Sequence, residues 1–125
     1  LEVDPDYATR SVSIHVTYLR ALLAEADAKS EAGMDVRPSL RKAAGIASKA
    51  VGMFDPDLLH LRAEAYFQCG IALGPSDPQE GAEKLGLSIK LYDRLLDEWP
   101  DDPRVQTWRQ ERGRASGGFK SLRGN

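Results

Sequence analysis

Proline, glycine and aspartate cut this chain into five helix-length stretches, and none of them alternates polar and apolar residues with the period of a strand. The breaks are Asp4-Pro5, Gly33 to Pro38, Asp55-Pro56, Gly74-Pro75-Ser76-Asp77-Pro78 and Pro100 to Pro103. Aspartate accepts hydrogen bonds from the free N–H groups of a helix start, and proline fits the first turn because it has no N–H to strand there. The spacing predicts helices from about Asp4 to Ala32, Pro38 to Phe54, Pro56 to Leu73, Pro78 to Trp99, and a weaker one from Pro103 to Gly113. Glu80, three residues after Asp77, completes a capping-box-like start. Gly33 is expected to supply a left-handed cap.

The faces of these helices predict a packed domain. Ile14, Tyr18, Leu19, Leu22, Leu23 and Ala26 form the expected stripe on the first helix. The second is rich in small residues (Ala43, Ala44, Gly45, Ala47, Ser48, Ala50, Gly52), which let helices approach closely. The third carries Leu58, Leu61, Ala65, Cys69 and Ala72, and the fourth Leu85, Ile89, Tyr92, Leu95, Leu96 and Trp99. Short breaks between consecutive helices imply antiparallel hairpins.

Composition narrows the classes. At 125 residues, 42% hydrophobic and 29% charged, the chain is one globular domain and too apolar to be disordered. A net charge of -2 argues against a dedicated nucleic-acid binder, without excluding a local basic patch. The one cysteine cannot close an internal disulfide, which suits a reducing compartment. No apolar run approaches the roughly 20 residues of a membrane span. The chain opens at Leu1 rather than Met, so it reads as a fragment or a processed form. We expect a cytoplasmic protein unless a targeting segment has been removed.

Two spaced strings go further: Tyr66-x2-Cys69-Gly70-x2-Leu73, and Ser88-x3-Tyr92-x2-Leu95-x4-Pro100. Together they resemble the two helices of one tetratricopeptide (TPR) repeat. The departures are Cys69 for the usual leucine, Leu95 for the usual alanine, and a longer spacing from Leu73 to Ser88. A degenerate second match is Ala44-x3-Ser48-x2-Val51-x4-Pro56. The resemblance implies an all-α TPR-like array of about five helices; a four- or five-helix bundle is the alternative. It also implies close packing at Gly70 and a non-enzymatic protein-interaction or scaffold role as part of a larger assembly. In that family the first helices of successive hairpins line a concave groove. Here Glu64, Phe67, Gln68 and Ile71 on the third helix would provide an apolar strip with a polar rim for a partner, unless the first helix covers them as core.

Chemistry is sparse. His15, His60 and Cys69 are too scattered for a metal centre, and no Glu-x2-His pair occurs. We expect no metal, no cofactor and no catalytic residue. His60 invites comparison with a phosphoacceptor histidine on a helical bundle, but Leu61, Arg62 and Ala63 follow it rather than the lysine and glycine usual there. Cys69 lies on the packing face and reads as a small buried hydrophobe. The acids Asp97, Glu98, Asp101 and Asp102 read as solvated charge at a helix end.

The C-terminal segment divides the chain into residues 1–114, the helical domain, and residues 115–125, a flexible basic tail containing glycine. From Arg104 onward the only acid is Glu111. Arg109, Arg112, Arg114, Lys120 and Arg123 supply an alternative function, anchoring a helical scaffold to RNA or another polyanion by phosphate pairing and stacking. A tail that merely aids solubility competes with that reading. Oligomeric state and partner identity have no signature in the sequence.

Overall fold

A computed structural model describes residues 7–50 and 52–123 of the chain. Its elements are α1 (Tyr7–Glu31), α2 (Arg37–Lys49), α3 (Pro56–Leu73), α4 (Pro78–Glu98) and α5 (Val105–Leu122). The described residues contain no strand. The expected start at Asp4-Pro5 and the Val51 position of the second repeat match lie outside the described residues.

The predicted helix ends form for the expected reasons. Asp55 accepts from Leu58 N–H and Asp77 from Glu80 N–H, each at 3.0 Å. Glu80 does not reach back to complete a capping box. The Asp77 N–H already donates to Leu73 O at 2.8 Å, and the Glu80 carboxylate lies 3.5 Å from Arg41. At the end of α1, Gly33 takes φ 71°. Gly33 N–H donates to Ser30 O and Met34 N–H to Lys29 O, the paired bonds of a Schellman cap. α2 ends at Lys49, earlier than Phe54, and Gly52 at φ 89° redirects the chain.

α3 is the central helix: it packs against each of the other four. That explains its apolar residues all round, with Leu58, Leu59, Ala63, Ala65, Tyr66, Cys69 and Leu73 buried. α1 also packs on α2, and α4 on α5. Among the described residues the α2 backbone does not come close to α4 or α5, nor does that of α1, although Arg41 of α2 reaches Glu80 of α4 with its side chain. The helices whose backbones pack closely are therefore sequence neighbours, or α1 with α3 and α3 with α5.

Two expectations are corrected. On α1, Ile14 and Tyr18 are 64% and 42% exposed rather than part of the core stripe. The inward face is Val12, Val16, Leu19, Leu23 and Ala26, a 4-3-4-3 repeat, and Ile14 and Tyr18 fall on the other side of the cylinder. The second correction concerns the expected flexible tail: through its described part helix α5 continues past Gly113, Gly117 and Gly118 to Leu122, while Gly124 and Asn125 lie outside the described residues.

Close packing holds that extension in place. Ala115 is fully buried, and Phe119 and Leu122 are half-buried. A Cβ on Gly118 would stand 3.1 Å from Leu85 Cδ1 and 3.2 Å from Ile71 Cδ1. Leu122 sits over Gly74 and Gly81, where a Cβ on either would come within 2.9 Å of its methyl groups. The α3–α4 crossing is equally tight, since a Cβ on Gly70 would lie 2.8 Å from Gly81 O. The missing side chains are what let three helices meet at this corner.

Candidate functional site

His60, Glu64, Phe67 and Ile71 follow one another at four-, three- and four-residue steps, so they lie on one stripe of α3. α1 flanks the stripe on one side and α5 on the other. Its two halves differ in chemistry.

The apolar half opens into a recess of about 290 Å³ between α1, the start of α2 and α3. Phe67, Gln68 and Ile71 line it together with Ala26, Asp27 and Leu40. Three of the four residues expected to bind a partner thus share one concave surface. Ile71 is 47% exposed and Phe67 half-buried, so α1 leaves both accessible. Glu64, the fourth, is absent from this recess.

Glu64 belongs to the polar half. His60 Nε2 lies 3.0 Å from Glu64 Oε1 and 2.9 and 3.1 Å from the two carboxylate oxygens of Glu111 on α5. The three side chains are half-buried, and their donor atoms all lie within 4.8 Å of one another. Burial works against a charged imidazole, but the hydrogen bonds to Glu111 and Glu64 outweigh it and raise the His60 pKa to about 9. At neutral pH the ring is therefore an imidazolium held between two carboxylates.

Aromatic rings frame this group. The rings of Tyr92 and Trp108 stand edge-on to His60, with centroids at 6.1 and 6.2 Å. Tyr92, almost fully buried, donates its phenol O–H to Glu111 Oε1 at 3.3 Å. Burial, reinforced by the Glu111 and Glu64 charges, pushes the Tyr92 phenol up, so it stays protonated. The Arg104 guanidinium lies over the Trp108 ring at 5.2 Å and pairs with Asp102 and Asp57. Trp108 Nε1 is buried without a hydrogen-bond partner among the described residues.

The histidine-centred cluster is what sequence spacing fails to display. His60 and Glu64 are one helical turn apart, a visible hint, but Glu111 arrives from 51 residues away through the packing of α5 on α3. It was visible in sequence only as the lone acid of a basic segment. The expectation of no clustered ligand residues is corrected accordingly: three side chains able to ligate a metal converge here. Cys69 is buried, as expected, and burial pushes its thiol up.

The basic residues of α5 do not act as a group. Arg112 pairs with Asp93 of α4, and the Arg123 guanidinium lies over Phe119 at 5.3 Å. Arg109, Arg114 and Lys120 are exposed, with Arg114 on the other side of the helix from Arg109 and Lys120. His15 is distant from the cluster in sequence, its Nδ1 2.7 Å from Ser11 O. Among the described residues no helix is long and apolar enough to cross a membrane. Comparison with models of protein families, with curated proteins and with solved structures finds no match to this chain.

Proposed function

We propose that this chain is a TPR-like, non-enzymatic interaction module that holds a partner in the recess between α1 and α3, as part of a larger cytoplasmic assembly. The pattern of helix contacts carries the reading. α1 packs on α3 and α3 on α5, while the backbones of α2 and α4 stay apart, bridged by the side chains of Arg41 and Glu80. This is how stacked hairpins behave when their first helices line a common inner surface, and a closed bundle would bring more distant helices together. Gly70 packing against α4, and Ser88 and Tyr92 buried on α4, agree with the roles the repeat pattern gives them.

The recess matches an apolar side chain. Phe67, Ile71 and Leu40 provide the apolar wall, and Asp27 at the rim favours a basic residue beside the anchor. A volume of about 290 Å³ suits one or two side chains of a peptide rather than a whole metabolite.

The test is affinity capture with the wild-type chain and with Phe67→Glu, each treated with nuclease and checked for helicity and melting temperature. A protein captured by the wild type, insensitive to nuclease and lost with Phe67→Glu supports the recess. Capture that is unchanged by Phe67→Glu rules it out. Capture lost with nuclease points instead to the polyanion reading through α5.

A further inference from the structure

We propose that His60, Glu64 and Glu111 form a binding site for a divalent first-row transition-metal ion, Zn²⁺ being the ion they fit best, and that the ion fastens α5 to α3. The site stands independently of the interaction reading. Its donors are one imidazole nitrogen and two carboxylates from two helices, their atoms within 4.8 Å of one another. His60 Nε2 carries at most one proton, yet three carboxylate oxygens crowd it at 2.9 to 3.1 Å. A single N–H cannot satisfy that many acceptors. An imidazolium with two carboxylates leaves one negative charge over; a neutral imidazole with a dication and the same carboxylates leaves none. Two neighbouring cations are already engaged, Arg104 by Asp102 and Asp57 and Arg112 by Asp93. Arg114, on the exposed side of α5, adds its field near Tyr92.

The geometry accommodates an ion with a small adjustment. Zinc binds nitrogen at about 2.0–2.1 Å and carboxylate oxygen at about 2.0–2.2 Å, which puts tetrahedral ligands roughly 3.3 Å apart. His60 Nε2 needs to stand off from each carboxylate by only a few tenths of an ångström, and the two carboxylates, already within 4.8 Å of each other, adjust around the ion. Imidazole with so few oxygens suits zinc and its neighbours better than magnesium or calcium, which take six or more oxygen ligands. Binding forms one metal–nitrogen and two metal–oxygen bonds and releases the Nε2 proton to water, with no change of oxidation state. The fourth position goes to water. Tyr92 supplies the supporting hydrogen bond by donating to Glu111, and the flanking rings of Tyr92 and Trp108 fix the imidazole plane.

The experiment uses the full chain, free of any affinity tag and stripped with chelator. It is titrated with Co²⁺ while its visible absorption is followed, and with Zn²⁺ by calorimetry. We expect one ion per chain, an intense cobalt spectrum of four-coordinate type, and a melting temperature raised by several degrees. His60→Gln and Glu111→Gln each weaken binding about 100-fold or more, and Tyr92→Phe about tenfold, with helicity retained. Should a ligand variant fail to fold, nitrogen-edited NMR of the wild-type imidazoles decides: Zn²⁺ must shift the His60 Nε2 resonance and leave His15 unmoved. No saturable binding up to about 1 mM overturns the site, as does binding that survives His60→Gln or a shift confined to His15.

Discussion

Replacing Gly81 with alanine sets two calculable effects against each other. Alanine in place of glycine within a helix is worth about 0.8–1 kcal/mol in propensity. Against this, the new methyl carbon would stand 2.7 Å from Gly74 Cα, 2.9 Å from Gly70 O and 2.9 Å from Leu122 Cδ1. Leu122 can change rotamer, but the other two atoms are backbone, so α3 and α4 must separate. Overpacking of this kind costs about 1–3 kcal/mol, and more where a main-chain contact has no alternative. We therefore expect Gly81→Ala to destabilise the protein by about 1–2 kcal/mol, a fall of roughly 3–8 °C in melting temperature. Gly113→Ala is the matched control. It lies inside α5, where a Cβ meets nothing within 4 Å, so only the propensity gain of about 0.5–1 kcal/mol remains. Urea unfolding followed by far-ultraviolet dichroism measures both, provided the slopes agree with the wild type. If Gly81→Ala equals or exceeds the wild type in stability, the close crossing of α3, α4 and Leu122 does not exist as described.

Deleting residues 115–125 removes the buried Ala115 and the packed Phe119 and Leu122, and we expect a loss on the order of 3 kcal/mol in urea titrations, where a dispensable tail would give none. Ser88→Ala takes away a fully buried hydroxyl that donates to Ala63 O at 2.8 Å, and we expect it to cost about 1 kcal/mol by the same assay. Cys69 is fully buried with its thiol pushed up, so a disulfide reagent at mild pH should react at a rate that follows global unfolding; native reactivity close to that of a free thiol would contradict its packing. The Asp102 carboxyl is held at about 2 by its hydrogen bonds to Arg104, so its contribution is present above the ordinary carboxylate value of 3.8 and is lost as pH falls through about 2. Asp102→Asn should therefore flatten the melting-temperature curve between about pH 4 and pH 2, and an unchanged curve would show that the pair does not act.

What the sequence made legible is local. Asp55, Asp77 and Gly33 each act within a few residues of themselves, so their caps follow from spacing alone. The apolar strip of Phe67 and Ile71 was readable for the same reason, because helical periodicity places them together before any packing is known. The failures over α5 and the histidine cluster involve partners distant along the chain. Gly113, Gly117 and Gly118 look like helix breakers, and glycine does disfavour a helix by about 1 kcal/mol at each position. Gly118 is compensated because its bare Cα allows α5 to settle on Leu85 and Ile71, which then seats Leu122 in the notch formed by Gly74 and Gly81. The same seating brings Glu111 beside His60.

Fold and site are thus coupled through one helix. A shift of α5 by a single turn, about 5.4 Å, would both empty the notch under Leu122 and carry Glu111 out of reach of the imidazole. The glycines at one end of α5 and the histidine cluster nearer the other end therefore enforce the same register. This explains why a helix with three interior glycines needs a polar clamp in addition to its apolar contacts. A hydrophobic surface tolerates sliding, because apolar contact is non-directional. Hydrogen bonds from one ring nitrogen to two carboxylates do not, since they weaken steeply with distance and angle. On this account the half-buried cluster of His60, Glu64 and Glu111, costly to desolvate, is retained for the single alignment of α3 with α5 that it permits, whether a proton or a metal ion joins its members.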